Sequence, residues 1–77
     1  MTLGENIRQI RKNKGMSIQQ IRDITGLSKS TISEIENDIS NPTISTLTKI
    51  SHALNVSLDK LLVSESANLE TIKAWDK

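Results

Sequence analysis

An all-helical fold is predicted by three features of these 77 residues. Apolar positions recur at three- and four-residue spacing, hydroxyl-bearing residues stand just ahead of those runs, and no stretch alternates apolar and polar as a half-buried strand would. The length allows one domain, because folding at this size hides only about 60% of the unfolded surface and leaves no material for a second core. With 35% apolar residues and 1% aromatics, that core has to be built from isoleucine and leucine, with Met16, Val56 and alanines filling gaps.

Each element follows from a start signal and a periodic run. Thr2 and Glu5 have the spacing of a capping box, and Leu3, Ile7, Ile10 and Lys14 then predict a first helix over Leu3–Lys14, ended by Gly15. Ser17 with Gln20 repeats the signal for a short second helix, in which Ile21 and Ile24 are expected to face one side before Gly26 takes the left-handed position. Ser28 caps a third helix with Ile32 and Ile35 inward, ending near Glu36 or Asn37, and Asp38–Pro42 reads as a loop. Thr43 caps a fourth, with Ile44, Leu47, Ile50 and Leu54 on one face and Asn55 closing it. Ser57 opens a short fifth helix with Leu58, Leu61 and Leu62 toward the core. Residues 1–63 are therefore the expected domain. In residues 64–77 Leu69, Ile72 and Trp75 recur every third residue, as in an extra carboxy-terminal helix or a frayed tail.

Composition excludes several classes of function. Absence of cysteine removes disulfide frameworks, thiolate metal sites and thiol nucleophiles, and fits a reducing cytoplasm. One histidine, His52, no glycine-rich phosphate loop and no H-E-x-x-H leave neither a metal site nor a catalytic triad to assemble, so no enzyme, metal or cofactor is expected. No apolar run approaches the roughly 20 residues that span a bilayer, and the start lacks a basic, apolar leader, so a cytoplasmic protein is expected. The net charge of +1 and pI near 8.1 do not announce a nucleic-acid binder. The distribution is uneven, however, since Arg8, Arg11, Lys12 and Lys14 stand together with no acid among them.

The informative stretch runs from Gln19 to Glu36, Q-Q-I-R-D-I-T-G-L-S-K-S-T-I-S-E-I-E. Two short helices meet at Gly26 and Leu27, and the second begins with Ser28, Lys29, Ser30, Thr31 and Ser33. Small polar residues at the exposed start of a helix let it approach base edges without bulk. Ser17 and Gln19, beside the positive end of the second helix, are placed to meet the phosphate backbone.

Three segments in order, R-K-N-K-G-M-S, I-T-G-L-S-K-S-T-I-S-E-I-E-N and N-P-T-I-S-T-L-T-K-I-S-H-A-L-N-V-S-L-D-K-L-L, cover Leu3 to Val63. In them the chain resembles the phage repressor and Cro-like helix-turn-helix family, the XRE-type transcriptional regulators. The resemblance implies a five-helix, lambda-repressor-like domain that binds double-stranded operator DNA as a homodimer, most often as a repressor on a palindromic site. By position it implies base contacts from Lys29, Ser30, Thr31 and Glu34, with Lys29 donating to guanine and Glu34 accepting from cytosine. Phosphate contacts fall to Ser17, Gln19, Ser28, Ser33 and Asn37, although Thr31 and Ser33 each can reach phosphate or a thymine methyl. Arg11 and Glu36 are implied to form a structural ion pair between the first and third helices.

The sequence departs from the family pattern in three places. Arg22 stands where the family usually has alanine against the turn, so either the helices separate or its stem extends outward. Ile18 takes a place often held by a phosphate-binding glutamine, and the loop Asp38–Asn41 lacks the usual basic residues. Fewer phosphate contacts predict weak binding by a monomer, which dimerisation repairs. The dimer surface is expected from Leu58 and Leu61, or from the Leu69, Ile72 and Trp75 stripe. The alternative is an antitoxin or co-regulator of the same fold, acting mainly through a protein partner bound by the tail.

Overall fold

The computed structural model describes residues 2–62. They form five helices: α1 (Leu3–Asn13), α2 (Ile18–Thr25), α3 (Lys29–Glu36), α4 (Ile44–Leu54) and α5 (Leu58–Leu61), and no strand occurs among them. The segment with Leu69, Ile72 and Trp75 lies outside the described residues.

The helix starts are set by the predicted side chains. At α1 the Glu5 N–H donates to Thr2 Oγ1 at 3.1 Å and the Thr2 N–H to Glu5 Oε1 at 2.9 Å. Ser17 and Gln20 make the same reciprocal pair at α2, at 3.1 and 2.7 Å. Ser28 and Thr43 cap α3 and α4 through the N–H groups of Thr31 and Thr46. Each such cap satisfies a donor that the helix cannot, and contributes about 1 kcal/mol. Ser57 opens α5 as expected, but through its backbone conformation alone, since its hydroxyl makes no capping bond. The ends follow the chain's left-handed residues, with Gly15, Gly26 and Asn55 at φ of 68°, 81° and 57°. Alpha-helix α1 stops one residue early, with Lys14 as its C-cap.

Helix α1 packs on α3 and α5, α2 on α3 and α4, and α4 on α5. The shared core is aliphatic: Ile7, Ile21, Ile32, Ile35, Leu47, Ile50, Ala53, Leu54 and Leu61 are all buried. Burying an isoleucine or leucine fully contributes about 1.5–3 kcal/mol, so these side chains are the main hold on a bundle whose sequence has no cysteine.

Two apolar residues, Ile24 and Ile44, are placed differently from the sequence reading, and Leu61 keeps only one of the two roles expected of it. Ile24 is 59% exposed, because the inward position one turn after Ile21 belongs to Thr25. Thr25 can occupy it because its hydroxyl donates to the Ile21 carbonyl at 2.8 Å and accepts from the Leu27 N–H at 3.1 Å. Ile44 is 63% exposed, since the first residue of α4 lies about a quarter-turn from the buried face of Leu47, Ile50 and Leu54. Leu61 is 0% exposed, so it belongs to the core and cannot supply a dimer surface. Leu58 and Leu62 are half-buried against the core.

Polar residues close the bundle at its α1 end. Buried Asn6 donates from Nδ2 to the carbonyls of Lys60 and Leu61 at 3.0 and 2.7 Å, satisfying acceptors that α5 leaves open at its end. Asp38, just past α3 and at φ 60°, accepts from the Gly4 N–H at 3.0 Å and from the Thr2 hydroxyl. A carboxylate here also lies at the positive end of the α1 dipole. Gly4 permits the approach: a Cβ at this position would lie 2.4 Å from the Ile35 carbonyl oxygen and 2.7 Å from that of Glu36.

Candidate nucleic-acid interface

Helix α3 has two faces that its sequence keeps apart. At 3.6 residues per turn, Ile32, Ile35 and Glu36 fall on the inner side and are buried, while Lys29, Ser30, Ser33 and Glu34 fall on the outer side. The outer four line a shallow depression together with Ile18 from the first turn of α2. The two helices therefore present one continuous surface, with the starts of both at its edge. Helix starts carry partial positive charge and unpaired N–H groups, which favours anions such as phosphate.

The expected contact residues divide by what their polar groups already do. Lys29, Ser30 and Glu34 are exposed, and among the described residues their side chains have no hydrogen-bond or ion-pair partner. Gln19, exposed at the start of α2, is equally free. Thr31 and Ser28 are spent on each other, the Ser28 hydroxyl donating to Thr31 Oγ1 at 2.9 Å while it accepts from the Thr31 N–H. Ser17 is engaged in its capping box. Asn37 turns its amide back onto its own helix, donating to the Ser33 carbonyl at 2.9 Å and to Ser33 Oγ at 3.3 Å. The free groups thus concentrate at Gln19, Lys29, Ser30 and Glu34.

Arg11 and Glu36 lie behind this surface. Arg11 Nε donates to Glu36 Oε2 at 2.7 Å and Nη2 to Oε1 at 3.1 Å, with the side chains only 11% and 4% exposed. Arg11 Nη1 also donates to the Met16 carbonyl at 2.8 Å. One guanidinium therefore ties α1, the α1–α2 turn and the end of α3 together, using the planar fork that suits a carboxylate. Arg22 extends outward and pairs at 3.1 Å with Asp23 in solvent, leaving α2 packed on α3.

Sequence reading missed Asn6, Gly4 and Asp38. Asn6 and Gly4 carry no local signal, since their roles depend on partners more than thirty residues away. Asp38 had a weak one, because aspartate tolerates the left-handed conformation that follows many helices. No group of three or more His, Cys, Asp or Glu able to hold a metal occurs among the described residues, and no helix there is long and apolar enough to cross a membrane.

Known proteins share this fold. The transcriptional regulator SinR of Bacillus subtilis is 41% identical over 61 residues, 78% of this chain and 55% of SinR. A crystal structure of SinR, described as the master regulator for biofilm formation, in complex with DNA superposes with a TM-score of 0.74 at 40% identity, covering 79% of this chain and 98% of that one. A SinR/SinI complex matches with a TM-score of 0.77 at 38% identity, over 88% of this chain and 67% of that one. The chain spans about half the length of the first curated relatives it matches, 55% for SinR and 50% for SlrR. The helix-turn-helix family model matches residues 7–61, which include both halves of the Arg11–Glu36 tie and the whole of the α2–α3 surface. By that match and these relatives, the chain belongs to the helix-turn-helix family of XRE-type transcriptional regulators.

Proposed function

We propose that this chain reads double-stranded DNA by sequence and regulates transcription, acting in the cytoplasm as a repressor on a palindromic operator. One observation carries the reading: the outer side of α3 and the adjoining start of α2 hold free polar side chains, while the inner side of α3 is locked into the bundle. Lys29 donates to guanine O6 or N7 and Glu34 accepts from cytosine N4, contacts worth about 1–3 kcal/mol each in discrimination. Ser30 completes the base-reading set together with Thr31, whose hydroxyl accepts from Ser28 but keeps its own proton to donate. Gln19, with the helix starts at Ser17 and Ser28, meets phosphate; Ser33, whose hydroxyl accepts from Asn37 and keeps its own proton, extends that contact along α3, and Asn37 joins it by releasing its amide from Ser33. SinR, 40% identical over the matched region, was crystallised with DNA, which supports carrying the mode of binding across.

A homodimer follows from the small number of cations on this face. Lys29 is the only lysine or arginine in α3, so a single copy neutralises few phosphates, and a second reading head on the same duplex raises affinity by about 10²–10⁴-fold. In this proposal residues 1–63 are the reading head and 64–77 the pairing segment. A SinR/SinI complex is known, which supports a second reading in which the chain acts mainly through a protein partner.

Selection from a random duplex library with the purified chain tests the proposal. A conserved half-site repeated with two-fold symmetry, at a spacing near one turn of duplex, about 34 Å, is the expected result. Selection of no sequence over background at moderate salt would refute DNA reading by this chain alone. Removal of residues 64–77 is expected to halve the mass in solution and to weaken binding without changing the half-site.

A further inference from the structure

The depression beside α3 receives one residue from another helix, and that residue is apolar. Ile18 lines it with Lys29, Ser30, Ser33 and Glu34. Ile18 is half-buried, packed on one side against the core and bordering the depression on the other. A hydrocarbon side chain has nothing to donate to a phosphate. Its serine neighbours are short, so no long side chain from them covers it, whereas Lys29 and Glu34 carry their charges on longer stems. A duplex edge brought against the outer side of α3 would therefore meet an apolar wall between polar contacts. In the major groove the apolar marker on a base edge is the C5-methyl of thymine, and cytosine offers only a C–H at that place.

We infer that Ile18 is a specificity-determining residue that packs against a thymine methyl in the half-site contacted by Lys29 and Ser30. Helix α2 then reads sequence as well as anchoring on the backbone. The inference rests on the DNA-binding reading above and adds to it a named base, a named atom and a residue outside the recognition helix.

The test uses the duplex obtained by selection, resynthesised with each thymine in turn replaced by deoxyuridine, which removes the methyl and keeps every hydrogen-bonding group. Dissociation constants are measured for the wild type, Ile18→Ala, Ile18→Val and Ile18→Gln, with thermal unfolding of each variant as the check on folding. At one position per half-site the wild type is expected to lose about fourfold in affinity, the worth of one buried methyl group. Ile18→Ala and Ile18→Gln should bind the thymine and deoxyuridine duplexes equally at that position, and Ile18→Val should keep part of the difference. If Ile18→Ala unfolds, the Val and Gln variants decide the question. The same thymine preference in all four proteins, or none in the wild type, would overturn the inference while leaving DNA binding intact. Absence of any preferred duplex would overturn both.

Discussion

The two ends of α3 stand in opposite relations to the rest of the molecule. At its carboxy-terminal end Glu36 is held in a fork by Arg11, the carbonyls of Ile35 and Glu36 press against Gly4, and Asp38 just beyond it accepts from Thr2 and Gly4. At its amino-terminal end the side chains of Lys29 and Ser30 touch no polar partner among the described residues, and on the same outer side neither does that of Glu34. The contrast shows how a helix of eight residues can be presented rigidly with half its surface open. An isolated helix of this length does not form in water, so its order has to be imported through the buried end. A reading face ordered in advance also avoids part of the entropy that binding would otherwise cost.

Substitutions at the locked end should therefore act on stability first. Arg11→Ala leaves the Glu36 carboxylate buried without its partner, and breaking a buried pair from one side costs about 3–5 kcal/mol. At about 4–8 °C per kcal/mol for a domain this small, the midpoint of thermal unfolding is expected to fall by about 12 °C or more. Circular dichroism across a temperature ramp checks this. An unchanged midpoint would remove Arg11 from the structural role and break the contrast between the two ends.

Gly4→Ala comes next. Its Cβ would meet backbone oxygens of Ile35 and Glu36, which cannot swing aside as a side chain could, so α1 has to shift away from α3. Overpacking of this kind costs about 1–3 kcal/mol, despite alanine being the better helix former by about 1 kcal/mol. Denaturant unfolding should show a lower midpoint at unchanged slope. A gain in stability would mean that helix propensity outweighs the close approach.

Asp38 sharpens the comparison further because two effects oppose there. Asp38→Ala loses both acceptor contacts at the start of α1 and keeps a side chain at φ 60°, whereas Asp38→Gly loses the contacts and relieves the backbone. Both variants should unfold more easily than wild type, by about 1–2 kcal/mol for alanine and less for glycine. Reversal of that order would show that the left-handed backbone contributes nothing to the balance.

What was legible in the sequence divides along the same line between local and distant causes. The helix starts at Thr2, Ser17, Ser28 and Thr43, and the turn at Gly26, are settled within a few residues, and the structure has them where the sequence puts them. The Arg11–Glu36 pair came from family resemblance, since nothing local joins residues 25 apart. Ile24 was misplaced because three- and four-residue spacings both satisfy a helical pattern, and only the hydrogen bonds of Thr25 choose between them. Asn6 and Asp38 stayed hidden for a different reason: a polar side chain reads as solvated until the element that accepts or donates to it is in place. At the candidate interface the sequence placed Lys29, Ser30 and Glu34 on one side of a helix. It did not bring Ile18 into their company, which needs the packing of α2 on α3.

The smallest stability effects are expected on the open outer side, and they are the most telling. Lys29→Ala and Glu34→Ala remove exposed side chains with no partner among the described residues, so unfolding midpoints should stay within about 0.5 kcal/mol of wild type. Binding is where they should register. If Lys29 reads guanine, its alanine variant loses discrimination at one position of each half-site, whereas a phosphate contact would weaken all sequences alike and lower the salt slope by about 0.9. Glu34→Ala distinguishes a reader from a guard in the same way. Relaxed preference at one base pair marks acceptance from cytosine, and tighter binding to every duplex marks repulsion of phosphate. Variants that destabilise the fold and weaken binding together would place Lys29 and Glu34 with Arg11, and the division of α3 into held residues and a reading side would fail.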